Sequence, residues 1–460
     1  MKQSNKTFLK TVGNIGIPIV VQNFVTTTLN MVDTVMIGVM GETAIASVGI
    51  ANRLVFIYFL CVFGLYSGIS VFISQYWGVK DVKSIRKVMG IESLFGFGIG
   101  AVFFLLSFTM PRQILGLFSD DPVVIEQAVK YLHLVSPQFF IAPITNAFGF
   151  NARAVHRTKW PMVASIIALG TNTALNYILI NGHFGAPALG IAGAAYATVI
   201  ARVLEMTILI ATVYHKKSNH PLAASFKELS SWDAKLMKTV LKTASPVIVN
   251  ESFWAIGTSV YYIAYGLLGT DSIAVVQVAY VVGDMFQALF MGIGHASGVM
   301  VGNEIGRENY EQAYEYAKRS LLIAVLFTAS VVFIPLLFID SITSIYDLKP
   351  ETSILLRQAI IVIVSFLPVK AFNFTLIVGI LRNGGDAQYC MRLEICCILF
   401  VGIPMAFISV LGLGFNIAGA LCAVQLEEVV KAIFISKRFK SRKWMNNIIK
   451  EQPVPVLAEL

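Results

Sequence analysis

The chain has 460 residues, of which 56% are hydrophobic and only 13% are charged. Soluble globular proteins carry about 25% charged residues, so this composition argues against a soluble domain and predicts a polytopic membrane protein. The formal net charge of +9 would suggest nucleic-acid binding in a soluble chain, but the basic residues here lie in loops between apolar runs. Five cysteines, an odd number without CxxC spacing, argue against a disulfide framework or a zinc site.

In chain order, the apolar runs predict about 12 transmembrane helices of roughly 20 residues or more. The first follows the basic segment MKQSNKTFLK and is too long for a cleaved signal peptide. The predicted spans are 13–39, 50–77, 89–110, 130–151, 161–181, 189–214, 241–267, 275–303, 319–339, 354–380, 391–411 and 416–436.

Lysine and arginine concentrate in alternate loops and after the last span, for example at Lys80, Arg157 and Lys440. The remaining loops carry acidic residues such as Asp120 and Asp271. Because positively charged loops stay in the cytoplasm, we predict a multi-pass protein of the cell membrane with both termini cytoplasmic. The final EQPVPVLAEL is predicted to be a disordered tail.

The two halves of the chain are related by an internal repeat. Residues 10–78 and 238–306 align without a gap and share roughly 15 identities, including Pro18 with Pro246 and Gly78 with Gly306. Six spans per copy preserve orientation, which is typical of transporters that bind substrate near the membrane midplane. We predict an N-lobe over 1–214, a cytoplasmic linker over 215–240, a C-lobe over 241–440 and a cytoplasmic tail over 441–460.

A polar stripe runs along the first predicted span. Asn23, Thr26, Asn30 and Asp33 are spaced by three, four and three residues, which places them on one face of a helix. A charged side chain at the membrane centre costs about 2.5–3.5 kcal/mol. Since Asp33 has no basic residue within a turn, function explains it better than structure does.

Asp33 could bind a proton, because burial favours the neutral form of a carboxyl group. Sodium would instead need several oxygen ligands around the negative charge. Asn172 and Asn176 on the fifth span and Thr198 on the sixth would supply them. The asparagines could equally be hydrogen-bonding residues between helices, and the sequence leaves both ions open. Arg202 and Glu205 are interpreted as a structural ion pair within one helix.

Several motifs resemble those of multidrug and toxic compound extrusion (MATE) transporters. They are VDTVMIGVMGETAIASVGIANRL, LNYILI, GIAGAAYATVIAR and the R-x-x-G-D element at Arg382–Asp386. The resemblance implies an all-α membrane protein of two pseudo-symmetric six-helix bundles in a V shape. It also implies alternating access and export of cationic amphipathic drugs, driven by entry of protons or sodium.

The resemblance assigns the family's first-helix ion-binding aspartate to Asp33. It assigns the polar residues around that ion to Asn172, Asn176 and Thr198. Two acidic positions of some members, on the seventh and tenth helices, are Ala255 and Ala371 here. A cation site shared between those helices is therefore not expected.

Because the acidic positions of those members are absent here, the second half of the chain is expected to bind the substrate instead. Acidic residues would attract a cation, aromatic rings would hold flat cations through their faces, and methionine would tolerate varied shapes. The aromatic residues could also be packing residues. The candidates are Glu251, Trp254, Tyr261, Tyr280, Asp284, Gln287 and Met291.

The predicted function is an antiporter in which an external cation and a cationic drug compete for the negative site. Its partners are small cationic molecules and membrane lipid, with no nucleic acid and no cofactor beyond the coupling ion, and we expect a monomer. The alternative is a flippase for lipid-linked saccharides, although such sites usually need cationic residues, and the intramembrane charges here are mostly acidic. The sequence lacks HExxH, GxGD and paired catalytic aspartates, so an enzyme is not expected.

Overall fold

The computed structural model describes residues 2–38, 40–215, 219–344 and 349–450, and within them the side chains of 2–7, 27–31, 34, 35, 42 and 270 are not described. Every long regular element in these ranges is a helix. The predicted tail EQPVPVLAEL and the side chain of Asn30 lie outside the described residues.

The first half of the chain contains eight α-helices before the predicted linker and a ninth, α9, within it. Asp81 caps the third by accepting from the Ser84 N–H, and Asp121 caps the fifth by accepting from the Val123 N–H. The helices are α1 (Lys2–Gly38), α2 (Glu42–Gly78), α3 (Val82–Thr109), α4 (Pro111–Leu115), α5 (Pro122–Val135), α6 (Gln138–Ala154), α7 (Lys159–Asn181), α8 (Ile191–Tyr214) and α9 (Phe226–Leu229).

The second half contains ten α-helices and three π-helical segments. The π-helical segments are Thr375–Leu381, Ile398–Gly402 and Ile408–Gly412. The α-helices are α10 (Ala234–Gly266), α11 (Thr270–Gly306), α12 (Tyr310–Val331), α13 (Phe333–Leu337), α14 (Ile339–Ser344), α15 (Pro350–Ser365), α16 (Leu367–Phe374), α17 (Ala387–Cys397), α18 (Ile403–Phe407) and α19 (Ile417–Lys440).

Among the described residues, nine helical stretches are long and apolar enough to cross a membrane. The predicted spans 130–151, 241–267 and 416–436 also coincide with helices, but the first is divided between α5 and α6. The other two carry charged residues within α10 and α19. This helical pattern confirms the predicted all-α class.

Proline accounts for two departures from single continuous spans. The predicted span 130–151 is interrupted at Ser136 and Pro137, between α5 and α6. The predicted span 354–380 is divided at Phe366, with Pro368 in the first turn of α16. Proline lacks an N–H and disfavours helix before it, so it begins new helices here.

The chain divides into two compact units. Unit 1 comprises residues 1–20, 74–80 and 242–460, and unit 2 comprises 21–73 and 81–241. Helices α1 and α2 each contribute to both units. The lobe, linker and tail boundaries given by the sequence remain a prediction.

Unit 2 contains a core in which α7 packs on α8, α3 packs on α6 and α5 packs on α8. Apolar side chains such as Leu115, Leu132 and Ile180 are buried there, together with Tyr131. This packing fixes the faces of α7 and α8 that carry the predicted ion ligands.

Unit 1 is organised around α11, which packs against α12, α15, α16 and the first π-helical segment. At its end, the repeat-related glycines Gly78 and Gly306 make two close backbone contacts. A Cβ atom at Gly78 would overlap the Asn303 carbonyl oxygen, and one at Gly306 would overlap the Gln75 carbonyl oxygen. Glycine at both positions allows the end of α2 to lie directly on α11.

Residues 441–450 of the predicted tail fold onto unit 1. The Trp444 indole is fully buried, stacks on Phe439 and donates to its carbonyl oxygen at 3.0 Å. The Gln75 side chain donates to the Asn446 carbonyl oxygen at 3.1 Å and accepts from the Ile448 N–H at 3.0 Å. This part of the chain therefore belongs to the packed structure.

The described part of the predicted linker is anchored on α3 within unit 2. Ser225 and Glu228 form a capping box at α9, and the Glu228 carboxylate lies 2.5 Å from the Arg86 guanidinium. The hydrogen bonds from Ser225 and Arg86 lower the pKa of Glu228 to about 2. His220 is buried in the same segment and accepts from the Leu222 N–H at 3.3 Å.

We expect the free energy of unfolding of the protein to decrease at acidic pH because of His220. Burial, with a smaller contribution from Arg157, lowers its pKa from 6.5 to about 4. Between pH 6.5 and about pH 4 the histidine binds a proton in the unfolded chain but not in the folded chain. The contribution of His220 to the free energy of unfolding is therefore fully present above pH 6.5 and is lost as the pH falls through this range. Thermal unfolding of the wild type and His220→Gln, compared at about pH 7.5 and about pH 5, checks this, with the smaller decrease expected in the variant. Equal decreases would contradict it.

Candidate functional site

The Asp33 carboxylate is the centre of a polar cluster between α1 and α7 in unit 2. The Asn176 Nδ2 donates to Asp33 Oδ1 at 2.7 Å. Asn176 and Asn172 are buried, whereas the Asp33 side chain is half-buried. The structure therefore brings together the aspartate and both asparagines that the sequence singled out.

The amide of Asn172 has two orientations, which differ in the places of its oxygen and nitrogen, and the second of them satisfies both atoms. In one, its oxygen accepts from Asn176 at 3.3 Å and its nitrogen donates to the Thr198 hydroxyl at 3.4 Å. In the other, its nitrogen lies 2.9 Å from both Asp33 carboxylate oxygens and its oxygen accepts from the Thr198 N–H at 3.2 Å. An ionised Asp33 favours the second, because a carboxylate only accepts hydrogen bonds.

The first orientation of the Asn172 amide brings its oxygen, instead of its nitrogen, to the Asp33 carboxylate. It places the Asn172 amide oxygen 2.9 Å from the carboxylate oxygens of Asp33, where two acceptors face each other. Two facing acceptors are unfavourable, so the surrounding groups support the second orientation. The Asn176 Oδ1 is also buried and has no hydrogen-bond partner among the described residues.

Two further side chains act on this cluster that the sequence reasoning did not assign to it. Tyr131 of α5 interacts with Thr198 and with the charge of Asp33. Arg202 of α8 interacts with Asp33 through its charge. Arg202 also forms the predicted ion pair with Glu205, at 2.9 Å. The polar residues Glu126, Lys130 and His133 of α5 follow a helical spacing that does not include Tyr131, so sequence spacing gave no signal for it.

The predicted stripe on α1 contributes to the cluster only in part. Thr26 donates to the Gln22 carbonyl oxygen of its own helix at 2.8 Å, and Asn23 is half-buried. Gln22 instead connects α1 to α7 and α6, because it donates to Ser165 at 2.8 Å and accepts from Arg153 at 3.2 Å. The Ser165 hydroxyl donates in turn to Glu205 at 2.6 Å.

In unit 1, Glu251 forms a buried ion pair. The Arg382 guanidinium lies 2.7 Å from the Glu251 carboxylate and 3.5 Å from that of Glu394, and the Arg382 side chain is 4% exposed. The Asn250 amide also donates to Glu394, at 2.5 Å. Glu251 thus already has a cationic partner within the protein, which favours a structural function over attraction of a cationic substrate.

The other substrate candidates lie in different environments. Tyr261 is buried and its hydroxyl donates to Glu427 of α19. Asp284 is exposed and interacts with the charge of Lys370, whose ammonium lies 5.8 Å from the centre of the Tyr280 ring. Asp284, Lys370 and Tyr280 therefore come together on α11 and α16.

The remaining candidates are accessible to different degrees. Trp254 is 43% exposed, Gln287 is half-buried, and Met291 packs at the edge of the apolar core of unit 1. A charged group that the sequence reasoning did not single out adjoins Tyr261 and consists of Glu427, Glu428 and Lys431. Their spacing along one helix was the signal that could have found them.

The internal repeat and the fold both have counterparts in known proteins. A family model described as MatE matches residues 18–178 and again residues 246–408, and the two matches begin 228 residues apart, as the repeat does. A solved structure, "Crystal structure of MATE in the straight conformation", has a TM-score of 0.85 at 20% identity and covers 94% of this chain and 96% of that one.

Curated relatives are similar over most of the chain. "Uncharacterized transporter YisQ" of Bacillus subtilis (strain 168) is 23% identical over 445 residues, which is 96% of each protein. "Probable multidrug resistance protein NorM" of Thermotoga maritima is 22% identical over 439 residues, covering 94% of this chain and 92% of the relative. The family model alone accounts for well over half of the chain, so this protein belongs to the MatE family of membrane transporters, which are not enzymes.

Proposed function

We propose that this protein is a cation-coupled antiporter that exports cationic, amphipathic compounds by alternating access. The observation that supports it best is the Asp33 carboxylate held by two amide side chains that can each offer either N–H or oxygen. We further propose that it acts as a monomer in the cell membrane. The distribution of lysine and arginine supports a cytoplasmic location for both termini.

In this proposal the amides of Asn172 and Asn176 exchange their orientation when the ion binds. Without an ion, amide nitrogens donate to the ionised Asp33 carboxylate. With a proton or sodium ion bound, amide oxygens face the cluster and the Thr198 hydroxyl adds a further oxygen. The site thus stabilises both charge states of Asp33 without moving a helix.

Antiport follows from competition for negative charge. A ligand shifts a conformational equilibrium only by its difference in affinity for the two states, so ion and drug need only favour opposite ones. In unit 1, the exposed carboxylate of Asp284 would attract a cation, and a flat cation would compete with the Lys370 ammonium for Asp284 and the Tyr280 ring. Trp254, Gln287 and Met291 would enlarge that surface.

Proteoliposomes separate the coupling ions. The sodium gradient and the proton gradient are imposed separately. We expect one of them to drive ethidium transport and the other not to, which identifies the coupling ion. Transport that is equal with and without both gradients would reject the antiporter.

A variant pair refines this experiment. Asn176→Ala removes the amide whose nitrogen donates to Asp33 and whose oxygen would be a sodium ligand, while Asn181→Ala removes an exposed amide from the same helix. A sodium site loses one of its few ligands in Asn176→Ala, so sodium-driven transport should fall strongly; a proton needs no such ligand shell, so proton-driven transport should fall less. Asn181→Ala should match the wild type in both cases.

A further inference from the structure

Unit 2 contains a buried carboxyl group outside the Asp33 cluster. Glu92 of α3 is 0% exposed, and its Oε2 accepts from the Nδ2 of Asn151 on α6 at 2.6 Å. The other carboxyl oxygen, Oε1, has no hydrogen-bond partner among the described residues. The Oδ1 of Asn151, a residue that is also 0% exposed, has none there either. This buried acid–amide pair therefore carries two acceptor oxygens and lacks a donor for each of them.

The face of α3 that carries Glu92 packs tightly on neighbouring helices. Gly96 and Gly100 follow Glu92 by four and eight residues, which places them on the same face of the helix. A Cβ atom at Gly96 would overlap the Tyr66 hydroxyl, and one at Gly100 would overlap the Phe139 carbonyl oxygen of α6. Small residues allow such a close approach between helices in a membrane. The carboxyl group thus lies in a close helix contact that is shielded from water.

The cations of the same two helices have other partners. Arg86 of α3 lies 2.5 Å from the Glu228 carboxylate, and Arg153 of α6 donates to Gln22 at 3.2 Å. Within the described parts of the chain, Glu92 forms no ion pair with a lysine, an arginine or a histidine. A buried carboxylate without a cation is so costly in free energy that the group becomes neutral instead.

The nearby hydroxyl groups are also occupied. The ionisable group of α2 that interacts with Glu92 is Tyr66, whose hydroxyl donates to the Pro143 carbonyl oxygen at 2.9 Å. Other ionisable groups on the helices packed against α3 lie towards its ends. Glu228 of α9 lies near the start of α3, and His133 of α5 stacks on Phe108, 16 residues after Glu92 and roughly 24 Å along the helix.

We propose that Glu92 is a proton-binding site, in which the carboxyl group is held as a neutral acid and Asn151 is its amide partner. A neutral acid has one O–H donor and keeps an acceptor, as an amide does. Its acceptor oxygen takes the hydrogen bond from Asn151 Nδ2, and its O–H supplies the kind of donor that Asn151 Oδ1 lacks. One proton thereby removes the buried charge and completes the contact between α3 and α6.

Two other occupants of this site fit the observations less well. A water molecule could donate to both oxygens, but it would leave the negative charge of the carboxylate without compensation. A sodium ion would need more oxygen ligands than this pair offers. The proposal does not depend on the proposed antiport, because it concerns the charge state of a group outside the Asp33 cluster.

Infrared spectroscopy of the purified protein tests the charge state, because a neutral carboxylic acid and a carboxylate absorb at different frequencies. At neutral pH, Glu92→Gln should lose the neutral-acid absorption of one group relative to the wild type. Exposed Glu351→Gln should retain the wild-type absorption. Equal neutral-acid absorption in the wild type and Glu92→Gln would overturn the proposal, since Glu92 would then be ionised.

A second variant keeps the glutamate and removes its partner. Asn151→Leu takes away the N–H that bonds the carboxyl group, so the neutral-acid absorption of Glu92 should move to higher frequency. An unchanged absorption in Asn151→Leu contradicts the acid–amide pair.

Native electrophoresis in neutral detergent gives an independent readout. Glu92→Gln should migrate like the wild type at neutral pH, because a neutral group replaces a neutral group, whereas Glu351→Gln should shift by one charge. A one-charge shift in Glu92→Gln means that Glu92 is ionised and that the site holds no proton.

Discussion

Asp33→Asn is expected to reduce drug efflux to the background level of cells without the protein, while leaving its amount and unfolding temperature nearly unchanged. The asparagine oxygen can still accept from Asn176, so the contact between α1 and α7 persists. It cannot ionise, however, and exchange of ion for drug needs a group that alternates between charge states. Ethidium efflux from cells, together with the amount of protein in the membrane fraction, measures both parts.

Asp120→Asn is the matched control, because Asp120 is a solvent-accessible aspartate in the loop before α5. Its efflux should equal that of the wild type. Efflux at the wild-type rate by Asp33→Asn would contradict the proposed exchange site. Loss of protein from the membrane in that variant would indicate a structural function for the carboxylate instead.

Asp33, Asn172 and Asn176 were predictable from sequence, either from helical spacing or from an isolated charge. Asn172 and Asn176 are four residues apart, and Asp33 is an isolated charge in an apolar run. What spacing could not provide was the orientation of the amides, which depends on contacts between α1, α7 and α8. Tyr131 was missed for the same reason, since it joins the cluster from a helix whose other residues are mainly apolar.

The charges of unit 1 were less predictable. Glu427, Glu428 and Lys431 lie in a predicted span, and their significance depends on Tyr261, which is 166 residues away from Glu427 in the chain. Sequence spacing assigned Tyr261 to substrate or packing, and its hydroxyl is instead used inside the protein. Glu251 was similarly proposed as a substrate residue, but only the fold brings Arg382 next to it, 131 residues further along.

Buried polar residues in unit 2 show the same limitation. Glu92 is fully buried and accepts from the Asn151 amide at 2.6 Å. A single glutamate near the start of a predicted span is equally compatible with a helix end in water. Composition and periodicity therefore predict which segments are helices, but they do not give the partners of isolated polar residues.

Arg382→Met is expected to destabilise the protein far more than the loss of an arginine from an exposed ion pair. Arg382 is the cation for both Glu251 and Glu394, whose side chains are each 13% exposed. Removing one partner from a buried ion pair costs about 3–5 kcal/mol, because the remaining charge stays buried without compensation. Thermal unfolding in detergent should show a large decrease in unfolding temperature.

Two comparisons test whether the uncompensated carboxylates cause the loss of stability in Arg382→Met. Arg357→Met breaks an exposed pair with Asp340, at 54% and 77% exposure, and should change the free energy of unfolding by about 1 kcal/mol or less. Adding Glu251→Gln and Glu394→Gln to Arg382→Met removes the uncompensated carboxylates and should recover most of the lost stability. If the triple variant is no more stable than Arg382→Met, the loss of stability comes from lost packing of the arginine side chain. The uncompensated charges of Glu251 and Glu394 are then not its cause.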